Sequence, residues 1–67
     1  MQQTEVKNNM NIIIGWCRDI GSQIQAISFN KGYVGYYHKV SNITFDKNGK
    51  LYAFGDATQT LIREAAK

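Results

Sequence analysis

The sequence has few of the residues that build reactive or cross-linked sites. It contains one cysteine, Cys17, one histidine, His38, and no proline. One cysteine cannot form a disulfide within the chain, and one Cys with one His supplies too few ligands for a zinc site. We therefore predict no metal site and no cofactor. A small domain without disulfides is typical of a reducing compartment, so we expect a cytoplasmic protein.

Long hydrophobic runs are missing as well. The longest uninterrupted aliphatic stretch covers residues 12–14, which is far too short to cross a membrane. The first residues also lack the basic and then apolar layout of a signal peptide. We therefore expect no membrane partner.

Charge of either sign is modest. Eight Lys or Arg residues against five Asp or Glu residues give a net charge of +3. This excess suits weak attraction to phosphates or to an acidic protein surface, but it falls short of the basic run of a dedicated DNA-binding protein. The hydrophobic fraction of 43% is too high for a disordered chain. A length of 67 residues allows one domain with a thin core.

Hydrophobic patterning predicts a single strand-rich domain over residues 10–67. Residues 1–9 are polar and aperiodic, so we expect a flexible leader, and Met10 is a second candidate for the first residue of the protein. Residues 11–18 and 33–40 are rich in β-branched and aromatic side chains and predict strands.

Residues 20–29 fit two kinds of secondary structure. Residues 23–29 alternate as a strand does, while Ile20, Ile24 and Ile27 also match the spacing of one helix face. The strand is the favoured interpretation, and the helix stays open as the alternative.

The strongest local signal is the tetrapeptide Asp46-Lys47-Asn48-Gly49, which is typical of a tight turn. It predicts a hairpin between residues 43–45 and 50–54. Asp56 then predicts a helix start as its N-cap, with Gln59 completing an approximate capping box. The sum is an α+β fold: a small antiparallel β-meander of four to five strands with one C-terminal helix packed on the sheet.

Lysine and tyrosine alternate in the third predicted strand. Side chains two residues apart share a face of a regular strand, which places Lys31, Tyr33, Tyr37 and Lys39 together around Gly35. On the hairpin, Lys50, Tyr52 and Phe54 repeat the pattern. The candidate binding residues are these lysines and tyrosines together with the single tryptophan: Lys31, Tyr33, Tyr37, Lys39, Lys50, Tyr52 and Trp16.

Such a face suits two kinds of partner. Aromatic platforms beside ammonium groups stack bases and hold phosphates, but tyrosine and tryptophan are also enriched in protein interfaces. The alternative is structural: the tyrosines and Trp16 cover the core while the lysines guard a sheet edge.

Catalytic equipment is sparse. Cys17 and His38 are the one nucleophile and base that could combine, and no motif of an acyl-transfer enzyme accompanies them. We expect a non-enzymatic binding module, first of all a small accessory or inhibitor protein that binds another protein. Short strand-rich chains with one cysteine resemble, in type, accessory proteins of phages and other mobile elements. The alternative is a small single-stranded nucleic-acid-binding protein that uses the lysine-tyrosine face.

Self-association is a further expectation. Residues 11–18 carry few charges and are predicted to form an edge strand, and an uncovered edge favours pairing with a second copy. A monomer and a homodimer both stay open at this point.

Overall fold

The computed structural model describes residues 2–66, which form one sheet and one helix. The elements follow in chain order as β1 (Gln2–Lys7), β2 (Ile13–Asp19), β3 (Gln23–Ser28), β4 (Gly32–His38), β5 (Ile43–Asp46), β6 (Leu51–Phe54) and α1 (Thr58–Ala65). Each strand pairs antiparallel with the next, so the spatial order repeats the chain order. The predicted α+β meander with a C-terminal helix is confirmed, with six strands rather than four to five.

The additional strand is β1, for which the sequence pattern predicts a flexible leader. It pairs with β2 in a register that sets Thr4 opposite Cys17 and Val6 opposite Gly15. Val6 is only 2% exposed and belongs to the core. The leader prediction is wrong for Gln2–Lys7 because a single buried side chain gives no detectable alternation. Met1 of that leader and Lys67 of the predicted domain lie outside the described residues.

The ambiguous segment at residues 20–29 is resolved as strand β3, which lies between β2 and β4. Strand β2 in turn pairs with both β1 and β3. The prediction that residues 11–18 form an edge is therefore wrong, because β1 covers β2. The edges of the sheet are β1 and β6.

The predicted turn between β5 and β6 is confirmed. The Asp46 carboxylate accepts hydrogen bonds from the backbone N–H groups of Asn48 at 2.9 Å and Lys50 at 3.0 Å. Gly49 has φ of +82°, a conformation that glycine adopts without steric cost. The side-chain chemistry of aspartate and the freedom of glycine thus close the hairpin together.

Helix α1 packs on one side of the sheet, over β2, β3 and β4. Two glycines allow its close approach. A Cβ atom on Gly15 would lie 2.6 Å from Cγ2 of Ile62, and one on Gly35 would lie 2.7 Å from Cδ1 of Leu61. The buried side chains Leu61 and Ile62 therefore rest directly on the backbone of β2 and β4. We call this side the helix face and the other side of the sheet the open face.

The helix begins one residue later than the capping pattern predicts. Ala57 occupies the N-cap position without a capping side chain, so the predicted capping box at Asp56 is wrong. The Asp56 carboxylate instead accepts hydrogen bonds from the N–H and the hydroxyl of Thr58, at 3.1 and 2.7 Å. With eight residues, α1 depends on packing against the sheet to persist. Within residues 2–66, no helix has the length and apolarity needed to span a bilayer.

Thr44 ties the connection between β6 and α1 to the sheet. Its buried hydroxyl donates to the Gly55 carbonyl at 2.6 Å and accepts from the Ala57 N–H at 2.9 Å. We expect Thr44→Val to lower the free energy of unfolding by about 2 kcal/mol, because both backbone groups lose their partner. Urea unfolding measures the change. The exposed Thr60 is the control: Thr60→Val should cost less than about 0.5 kcal/mol. Equal values for the two variants would contradict this role of Thr44.

Candidate binding surface

Strand register shows which side chains reach the open face. Residues directly opposite each other in neighbouring strands share a face, and faces alternate along a strand. Ala26 is fully buried under the helix and pairs with Gly35. Gln25 and Ile27, its neighbours along β3, therefore lie on the open face.

A bulge in β4 divides the predicted lysine-tyrosine face. Ile27 pairs with Tyr33 while Ala26 pairs with Gly35, which leaves Val34 as an extra residue. Such an insertion changes which side the following residues occupy. Tyr33 therefore lies on the open face, whereas Gly35 and Tyr37 lie on the helix face. The prediction of one shared face is wrong.

Lys39 and Tyr37 of the predicted site make contacts with neighbouring side chains. The Lys39 ammonium forms an ion pair with Asp19 at 2.9 Å. This contact and the Gly21 N–H lower the pKa of the Asp19 carboxyl below its ordinary value. The Tyr37 hydroxyl donates to Asn42 Oδ1 at 2.7 Å. Lys31 is exposed in the turn before β4.

The hairpin carries a second bulge with the same effect. Thr44 pairs with Ala53 and Phe45 pairs with Leu51, so Tyr52 is the extra residue of β6. The predicted row of Lys50, Tyr52 and Phe54 is therefore interrupted. Phe54, opposite Ile43, and Leu51 reach the open face instead.

Aromatic side chains dominate the open face. Trp16 is half-buried and stacks on Phe29, with ring centroids 5.8 Å apart, and Tyr36 stacks on Phe45 at 5.3 Å. Partial burial and then the neighbouring Tyr36 raise the pKa of the Tyr33 hydroxyl, although the side chain is still accessible to solvent. Six of the eight aromatic residues of the chain lie on this side: Trp16, Phe29, Tyr33, Tyr36, Phe45 and Phe54.

Charge on the open face is sparse and nearly balanced. Glu5 and Lys7 alternate with the buried Val6 and so reach this side of β1. Arg18 lies opposite Gln3, beside a shallow cavity of about 240 Å³ whose walls include Trp16. The face is thus an aromatic and aliphatic surface with few charges rather than a basic one.

Cys17 and His38 are not brought together. Cys17 pairs with the buried Ala26 on the helix face, where its thiol donates to Thr58 Oγ1 at 3.3 Å and burial raises its pKa. His38 pairs with Gln23 on the open face, and its Nδ1 lies 2.9 Å from Ser41 Oγ. The sheet therefore separates the proposed nucleophile from its base. Among residues 2–66, no group of three or more His, Cys, Asp or Glu side chains could hold a metal ion.

The surface contains residues that the sequence pattern does not single out. Four such residues reach the open face: Phe29, Tyr36, Phe45 and Leu51. Their aromatic or aliphatic character is the one feature of the sequence that could have marked them as surface candidates. No protein-family model, curated protein or solved structure matches the chain. The open face is therefore the candidate functional surface of this chain.

Proposed function

We propose that this chain is a small non-enzymatic protein-binding module that contacts its partner through the open face, as an accessory or inhibitor protein of phage or mobile-element type would. One observation carries the proposal: six of the eight aromatic residues lie on a side of the sheet that no element of residues 2–66 covers. Large exposed apolar patches are rare on proteins that bind nothing and mark interaction surfaces.

The charge of the open face favours a protein partner over a nucleic acid. The central parts of protein interfaces are rich in aromatic residues and poor in charged ones. Binding to nucleic acid uses a cation for each phosphate that is neutralised, and Lys7 and Arg18 are offset here by Glu5. The expected partner therefore presents an apolar protein surface without strong charge.

Single-stranded nucleic acid is the second candidate. The observation that favours it is that Arg18 lines the same cavity as Trp16, whose ring stacks on Phe29. A cation beside an aromatic ring is an arrangement that binds stacked bases. The lysine-tyrosine face predicted from the sequence does not support nucleic-acid binding, because Tyr33 and Tyr37 lie on opposite faces of the sheet.

A comparison of variants in a pull-down tests the proposal. The immobilised chain is exposed to an extract of the cells that naturally encode it, and bound protein is quantified. The exposed side chains Phe29 and Tyr33 are replaced together in Phe29→Ser/Tyr33→Ser. We expect wild type to retain one protein in stoichiometric amount and this variant to retain at least ~10-fold less, since interface aromatics are frequent energetic anchors.

The matched control replaces exposed apolar residues of two turns, Met10→Ser/Val40→Ser. It should bind the partner as wild type does. Equal retention by the face variant and the control would show that the open face is not the contact surface. A labelled single strand should not bind at ~50 mM salt, where release of counterions is most favourable. Binding of the strand that is lost in the face variant would establish the nucleic-acid alternative instead.

A further inference from the structure

The two edges of the sheet differ in their protection against pairing. Strand β1 carries the charged residues Glu5 and Lys7, and charges on an edge strand oppose its pairing with another chain. Strand β6 has the sequence Leu-Tyr-Ala-Phe, with neither charge nor proline. Its side chains are unusually accessible, with Leu51 54% and Phe54 78% exposed. The β1 edge is therefore protected by charge against pairing with another chain, and the β6 edge is not.

Backbone hydrogen bonds at both ends of β6 show which of its groups face outward. The Gly55 N–H donates to the Asn42 carbonyl at 2.7 Å, and the Lys50 carbonyl accepts from the Asp46 N–H at 2.9 Å. Bonded and non-bonded pairs alternate in an antiparallel ladder. Phe54 precedes Gly55, and Leu51 follows Lys50. Phe54 and Leu51 therefore direct their N–H and C=O groups away from β5, towards the free edge.

The bulge at Tyr52 gives Leu51 and Phe54 this common orientation. In a regular strand, residues three apart point to opposite sides and opposite faces. Because Tyr52 is an extra residue, Leu51 and Phe54 share both the outward backbone direction and the open face. Leu51 of one copy can therefore face Phe54 of a second copy when a two-fold axis relates the two strands.

We propose that two copies of the chain pair antiparallel through β6, with Leu51 of each copy opposite Phe54 of the other. A two-fold axis perpendicular to the sheet relates the copies, which is the isologous arrangement common in homodimers. Each Leu51–Phe54 pair exchanges its outward backbone hydrogen bonds, and the two side chains meet across the junction on the open face.

A second copy suits this edge because the segment is self-complementary. No like charges oppose each other within the paired strands, since β6 carries none. Lys50 precedes β6, so antiparallel pairing places the Lys50 residues of the two copies at opposite ends of the junction. The pairing joins the two open faces side by side and leaves them uncovered, so this inference does not rest on the proposed function.

Sedimentation equilibrium of the full chain tests the pairing. We expect wild type to dimerise below a concentration of about 1 mM, a weak affinity that fits a small interface. Phe54→Lys should weaken dimerisation at least ~10-fold, because a charge on an edge strand opposes pairing. Met10→Lys adds the same charge at an exposed position, 74% accessible, in the turn beside the opposite edge. It should dimerise as wild type does, and circular dichroism verifies that both variants are folded.

Cross-linking reports the register without relying on Phe54→Lys. Single variants Leu51→Cys and Phe54→Cys are treated with a short bis-maleimide, alone and mixed, while Cys17 stays buried. The mixture should give far more covalent dimer than either variant alone, because the register sets residue 51 opposite residue 54. A wild-type monomer at about 1 mM, unchanged dimerisation of Phe54→Lys, or equal cross-linking in mixed and unmixed samples would each overturn the proposal.

Discussion

Gly15→Ala is expected to lower the free energy of unfolding by about 3 kcal/mol, which is most of the stability of so small a domain. The added Cβ would lie 2.3 Å from the backbone oxygen of Ile27 and 2.6 Å from Cγ2 of Ile62. The oxygen belongs to a neighbouring strand, so it can move only if β2 and β3 separate. Overpacking of a core costs about 1–3 kcal/mol and occasionally more, and a domain of this size has only about 3–5 kcal/mol to lose.

Urea unfolding followed by the fluorescence of Trp16, the single tryptophan, measures this effect. Gly21→Ala is the matched control, because no heavy atom lies within 4 Å of the position that its Cβ would occupy and only its φ of +102° opposes the substitution. The control should lose about 1–2 kcal/mol from backbone strain alone. If Gly15→Ala were as stable as Gly21→Ala, the close approach of helix and sheet would be contradicted.

The second large effect is expected for Ile62→Ala. Ile62 is fully buried and packs in the core with Val6, Cys17, Ala26 and Leu61. Truncation should lower the free energy of unfolding by about 3 kcal/mol, since it removes apolar contacts and leaves a cavity. The eight-residue α1 depends on its packing against the sheet to persist. Far-ultraviolet circular dichroism should show loss of helix and sheet together.

Ile20→Ala is the control for the same chemical change at an exposed position in the turn between β2 and β3. It should cost less than about 1 kcal/mol, because the side chain is already accessible to water. If Ile62→Ala lost its helix while the sheet stayed folded, the sheet would not depend on packing against α1, and the prediction would be contradicted.

Local chemistry explains which parts of the fold can be predicted from the sequence. Asp46 and Gly49 close their turn through their own side-chain and backbone properties, so the hairpin is evident. The same holds for α1, whose apolar residues repeat with the period of a helix, and for β4, whose aromatic and β-branched residues favour a strand. Strand β1 escapes prediction because Val6 is its one buried residue, and its pairing depends on β2 rather than on a pattern of its own.

The binding surface is harder to predict because it depends on two bulges. Tyr33 and Tyr37 share a face only in a regular strand, and nothing in the local pattern marks Val34 as an extra residue. In a regular strand Gly35 would open the face to a ligand, whereas here it admits Leu61 of the helix. Trp16 does lie on the open face, and its part in binding stays a prediction.

Photocrosslinking at position 29 tests the central claim, that the open face is the contact surface for a protein, most directly. A benzophenone amino acid replaces the exposed Phe29, and in a parallel experiment the exposed Met10, in the cells that naturally encode the chain. We expect irradiation to join position 29, but not position 10, covalently to a single protein. An adduct from position 10 alone, or an adduct of position 29 with nucleic acid, would contradict the claim.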